Sequence, residues 1–236
     1  DLRSSGIILM RIGFFGDSFS HENNKLFQKT DGYNTYINLL EKEYNTKISI
    51  NSKGGSSHWD IITNQFMSTI DNLPDVCVFT WPDGKRLFHR TVRNLGMPQA
   101  LAYSTSTFKF LDIKYQFGFS SNQWKAAEMY YKYLFDEEKN NLEYLSSLYY
   151  FDNVILKKIK NTKFVHLWSF ENVHEWKNTI ALDEPLIKIA ESMIPGYHDG
   201  PAHKNKNYLA LNHLPGQELN EVVFEKVKGC IDEVCR

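Results

Sequence analysis

Met10-Arg11-Ile12-Gly13-Phe14-Phe15-Gly16-Asp17-Ser18-Phe19-Ser20 decides how the rest of the chain is read. A short apolar run rich in Ile and Phe, stopped by Gly16-Asp17-Ser18, predicts a buried strand ending in a tight turn. Gly16 supplies backbone freedom at that turn, and Asp17 or Ser18 is suited to cap a helix starting just after it. A serine at the carboxyl end of a central strand stands where open α/β sheets bind their ligands. Read without its surroundings, the same stretch is equally an ordinary strand followed by an Asp-Ser cap.

Outward from this turn the pattern repeats. Tyr33 to Tyr44 has helical spacing and predicts the first crossover helix, after which Lys47-Ile48-Ser49-Ile50-Asn51 alternates as a strand. That strand runs into Gly54-Gly55, which in a right-handed parallel crossover reaches the same sheet edge as Ser18. Gly54-Gly55 is either a flexible turn or a place where a bare N–H approaches an oxyanion. His58 to Ile70 predicts a helix with Trp59, Ile62, Phe66 and Ile70 on its apolar face, ended by Asn72-Leu73-Pro74. Asp75 to Trp81 is a continuous apolar run of the kind buried on both faces. It opens into a third loop at that edge, carrying Asp83, Lys85 and Arg86.

Residues 91–160 depart from the strand-and-helix alternation. Their first part is irregular and aromatic-rich, suited to walling a cleft, and residues 122–160 are mostly helical. Lys163 to Phe170 predicts another buried strand, in which His166 reads as a core histidine. The last region is dense in ionisable groups, with His198, Asp199, His203 and His213 preceding a terminal helix from about Gln217 to Val234.

Length and composition set bounds. The 236 residues suit one α/β domain over 10–236 with an insertion at about 91–160, and residues 1–9 read as a tag or upstream remnant. A net charge of −1 gives no global field of the kind that marks a nucleic-acid or membrane-surface binder. The three cysteines, Cys77, Cys230 and Cys235, fit neither a disulfide framework nor a zinc site. The start lacks the basic region and long apolar segment of a signal peptide, and no run has the length of a membrane span. These features suggest a soluble protein, cytoplasmic or virion-associated.

Gly16-Asp17-Ser18 after the first strand, Gly55 after the second, and Asp and His ahead of the last helix together resemble the SGNH (GDSL) hydrolase family. The resemblance implies a three-layer α/β/α sandwich with a central parallel sheet. It also implies cofactor-free hydrolysis of esters, thioesters or acetylated sugars. Carried over by position, Ser18 is the nucleophile and its N–H an oxyanion donor, and Gly55 N–H is a second donor. His213 is the general base, with His203 as its rival, and Asp199 orients the histidine. Two features depart from the family pattern. Neither histidine has the Asp-x-x-His spacing, since Asp199 lies four residues before His203 and fourteen before His213. Asp83 stands where the family has an oxyanion-hole Asn, so the third donor comes from elsewhere, with Arg86 a candidate, or is missing. The expected partner is a small-molecule or carbohydrate ester. The competing readings are a catalytically degenerate relative that binds a glycan or serves in assembly, and a metal site built from His198, Asp199, His203 and His213.

Overall fold

The computed structural model describes residues 10–20, 33–54, 56–86, 121–177, 179–194, 197 and 214–236. Their strands form one all-parallel, five-stranded sheet in the order β2-β1-β3-β4-β5. These are β1 Ile12–Gly16, β2 Ser49–Ile50, β3 Val76–Trp81, β4 Lys163–Trp168 and β5 Ile180–Ala181. Each of the three long strands is an apolar run with almost every residue buried, as a parallel sheet covered on both faces requires. The class is therefore α/β, as the alternation of the sequence predicts.

Strand side chains alternate between two cores. Ile12, Phe14, Val76, Val78, Val165 and Leu167 pack with α1 (Tyr36–Glu43), α5 (Leu186–Met193) and α6 (Gln217–Val234). Phe15, Cys77, Phe79, Trp81, Phe164 and Trp168 face the other way. They meet the helix that begins at α2 (His58–Asp60) and the helix α4 (Glu137–Tyr150), which follows α3 (Ser121–Tyr133) in the chain. Tyr144, Leu148, Phe151 and Leu156 all belong to this second core. Residues 137–158, in the part of the expected insertion read as mostly helical, thus lie on the crossover from β3 to β4.

Both helices on that face change pitch. After α2 the chain widens into a π-helical stretch, Ile61–Phe66, and tightens into a 3-10 stretch, Met67–Asn72. α4 likewise passes through a π-helical stretch, Phe151–Ile155, and a 3-10 turn, Leu156–Lys158. The wider turn shifts the buried stripe away from an ideal helical spacing. Ile61, Ile62, Gln65 and Phe66 are therefore buried, whereas Trp59, assigned to the apolar face by its spacing, is exposed.

Asn220 ties the terminal helix to the first one. Its Oδ1 accepts from Tyr36 N–H at 2.9 Å, at the start of α1, and its Nδ2 donates to Leu214 O at 2.7 Å and Gly216 O at 2.8 Å. Gly216 has φ 87°, the left-handed region that glycine adopts without strain, and so turns the chain into α6. Leu214, the residue after His213, is anchored in the first core.

Candidate functional site

Gly16 is the last residue of β1, and Ser18 follows at the carboxyl edge of the sheet. β1 lies between β2 and β3, so the chain runs from β1 to β2 on one side and then crosses over to β3 on the other. This reversal of strand order is where open parallel sheets form their ligand crevice. The turn is closed by Ser20 N–H donating to Asp17 O at 3.2 Å. Ser18 is nearly buried, with 9% of its surface exposed.

The buried Asp17 side chain holds the turn. Its Oδ1 accepts from Phe19 N–H at 3.1 Å and from Ser169 Oγ, just past β4, at 2.9 Å. Its Oδ2 lies 3.2 Å from Arg86 Nη1. Oδ2 has no aligned hydrogen bond, so this contact is one of charge rather than of donor geometry. Arg86 is itself 7% exposed, donates from Nη1 to Ser56 O at 2.9 Å and lies over the Phe170 ring at 5.5 Å. Burying charged side chains is costly unless they are paired, and here the guanidinium and the carboxylate lie together. Arg86, the candidate third oxyanion donor, thus points one nitrogen at Asp17 and Ser56.

Gly16 is required for a different reason from the one its turn position suggests. Its φ is not positive. A Cβ there would stand 1.8 Å from Thr80 Oγ1 and 2.7 Å from Thr80 O, because β3 passes close beside it. The space is used by hydroxyls. Asp17 N–H donates to Thr80 Oγ1 at 3.3 Å, Thr80 Oγ1 and Ser20 Oγ are 2.5 Å apart, and Ser20 Oγ donates to Ser52 Oγ at 2.8 Å. With the Ser20 proton directed to Ser52, Thr80 must donate to Ser20. The chain of hydrogen bonds then runs one way across the ends of three strands, so that each bond polarises the next.

Gln65, carried by the π-helical stretch, completes the backbone pairing. Gly16 N–H donates to its Oε1 at 2.7 Å, and its Nε2 donates to Gly16 O at 2.9 Å and to Ser56 Oγ at 2.9 Å. Ser56 Oγ donates to Asp60 Oδ2 at 2.7 Å. The segment around the second glycine turn is thereby tied to the end of β1.

The third loop is pinned by α4. Tyr144 donates its hydroxyl to Pro82 O at 2.8 Å, and Asn140 Nδ2 donates to Gly84 O at 2.8 Å. Half-buried Asp83 accepts from Lys85 N–H at 2.7 Å. Burial, then the charges of Asp83 and Asp17, keep the Tyr144 phenol protonated. His58 lies against this tyrosine with ring centroids 4.7 Å apart, and neither ring nitrogen has a hydrogen-bond partner. Burial lowers its pKa to about 3, so the imidazole is neutral.

Ser18 and Asp83 therefore lie in loops of the same sheet edge. Gly55, Asp199, His203 and His213 lie outside the described residues, as does His198. Among the described residues no group of three His, Cys, Asp or Glu could hold a metal ion. His166 is a core residue: Trp81 Nε1 donates to its Nδ1 at 3.0 Å, and its ring stacks on Trp176 at 3.5 Å. The sequence reading left out Gln65, Ser169 and His58. An amide within a helical pattern, and a serine after a strand, carry no signal of a partner so far along the chain. Comparisons with protein-family models, with curated proteins and with solved structures found no match for this chain.

Proposed function

We propose that this chain is a serine-dependent hydrolase of the SGNH type, a three-layer α/β/α sandwich with a helical insertion, cleaving an ester such as an O-acyl or O-acetyl group on a carbohydrate. The observation that carries this reading is the position of Ser18, at the strand-order reversal of a parallel sheet, on a turn held rigid by Asp17 and Gln65. A rigid support is what a nucleophile needs if its oxygen is to meet a carbonyl carbon in one geometry. In this reading His213, or its rival His203, takes the Ser18 proton during attack, and Asp199 orients the ring. The N–H groups of Ser18 and Gly55 hold the oxyanion. The Asp17 charge is already matched by Arg86, which limits its repulsion of that oxyanion.

A fluorophosphonate probe and an acetyl-ester assay test the proposal together. The folded protein should be labelled at Ser18 and turn over the ester, and Ser18→Ala should lose both the label and at least about a thousandfold in rate. Folded protein that is neither labelled nor active, or Ser18→Ala that retains turnover, overturns it. Saturable binding of an acetylated glycan without turnover would instead identify the glycan-binding alternative.

A further inference from the structure

The connection into β4 is rich in lysine, with Lys157, Lys158, Lys160 and Lys163 close together in a chain whose net charge is −1. Lys157, Lys160 and Lys163 join Lys177, from the connection into β5, around an open cavity of about 570 Å³. Lys163 and Ile180 are the first residues of their strands, so the cavity lies at the sheet edge opposite the one that carries Ser18. The lining is mixed: beside the lysines and threonines it has apolar residues, of which Ile159, Ile180 and Val234 are half-buried while Leu156 and Phe164 are buried. None of its described lining residues is acidic.

Some lysines elsewhere are matched, such as Lys228 by Asp232 at 2.6 Å and Lys226 by Glu184 at 3.1 Å. Among the described residues, no ion pair engages any of the four lysines at the cavity. Four like charges around one mouth repel one another, and an anion placed between them relieves that repulsion. Ammonium groups suit phosphate as compact point charges. The half-buried Ile159, Ile180 and Val234 offer apolar surface to a ligand's body, and the volume is that of a small-molecule site. Thr179 Oγ1 in the same lining has no hydrogen-bond partner, so turning it toward a ligand breaks none.

We propose that this cavity binds a soluble phosphorylated small molecule, its phosphates among Lys157, Lys160, Lys163 and Lys177 and its aromatic or aliphatic body against Ile159, Ile180 and Val234. The site is independent of the role given to Ser18. Calorimetric titration of the full chain with ATP, and separately with inorganic pyrophosphate, tests it. ATP should bind saturably and about tenfold or more tighter than pyrophosphate, because only ATP has a body to cover that apolar surface. Lys160→Glu and Lys163→Glu should each weaken ATP at least about tenfold, with circular dichroism unchanged, while Lys139→Glu on α4 should leave it unaltered. The Ser18→Ala protein should bind as the parent does. The proposal is overturned by the absence of saturable ATP binding, by pyrophosphate binding as tightly, by Lys139→Glu acting as strongly as the cavity variants, or by binding confined to phosphatidylserine vesicles.

Discussion

Arg86 Nη1 lies 3.2 Å from Asp17 Oδ2, a buried ion pair joining the loop after β3 to the turn that presents Ser18. Asp17 is wholly enclosed and Arg86 almost so, which makes each dependent on the other. Removing either partner leaves an isolated charge in a region that cannot solvate it.

Arg86→Met is therefore expected to destabilise the fold by about 3–5 kcal/mol, with Asp17 left as an uncompensated carboxylate. Adding Asp17→Asn should recover part of that loss, since the second change removes the stranded charge. Urea unfolding of both single variants and the double variant measures the coupling. Strictly additive losses would show that the two side chains do not stabilise each other.

Gln65→Leu keeps much of the side-chain volume but strands the Gly16 N–H. Lys53 N–H still reaches Gly16 O at 3.0 Å, so the amide proton is the group left without a partner. The expected cost is about 1–3 kcal/mol in denaturant unfolding. On the proposed mechanism, fluorophosphonate labelling of Ser18 should slow as well, because the turn loses its fixed position.

Gly16→Ala places a methyl group 1.8 Å from Thr80 Oγ1. Thr80→Ala in the same chain removes the hydroxyl but leaves Thr80 O at 2.7 Å. The single variant should lose at least about 3 kcal/mol, and the double should recover only part of it. Full recovery of the melting temperature would show that the hydroxyl was the sole obstacle.

Acid should weaken the fold through its buried histidines. Burial lowers the pKa of His58 to about 3, and it also lowers those of His166 and His174. Above the ordinary imidazole pKa of about 6.5 these rings are neutral in both the folded and the unfolded chain. As pH falls below that value the unfolded chain takes up protons that the folded chain refuses, so stability declines. For His58 the decline extends to about pH 3, at no more than about 1.4 kcal/mol per pH unit. His58→Phe should remove one histidine's share of that slope. It should cost little near neutral pH, where neither ring nitrogen has a partner to lose. Unfolding midpoints across this range give the slope directly.

The apolar runs 12–16, 76–81 and 163–168 could be read as buried strands because a strand covered on both faces needs nearly every residue apolar. The terminal helix was equally readable, with both ends matching Gln217–Val234. On residues 58–72 the apolar face was placed correctly at Ile62, Phe66 and Ile70 but not at Trp59, because a π-helical stretch changes the angle per residue and leaves no mark in composition. At the site, the Gly-Asp-Ser turn could be found, but its supports could not. Gln65, Arg86 and Ser169 lie 49, 69 and 152 residues from their partners, Gly16 for the first and Asp17 for the other two.

By itself, the order of residues determined an α/β chain with a serine just beyond its first strand, because hydrophobic periodicity and turn chemistry act over a few neighbouring residues. Only the tertiary structure decided the strand order that makes β1 the point of reversal, and the need for glycine beside Thr80. It also decided that the Asp17 charge would be met by Arg86. Those outcomes depend on which distant surfaces are buried together, and burial is what turns an ordinary aspartate and arginine into mutually dependent charges.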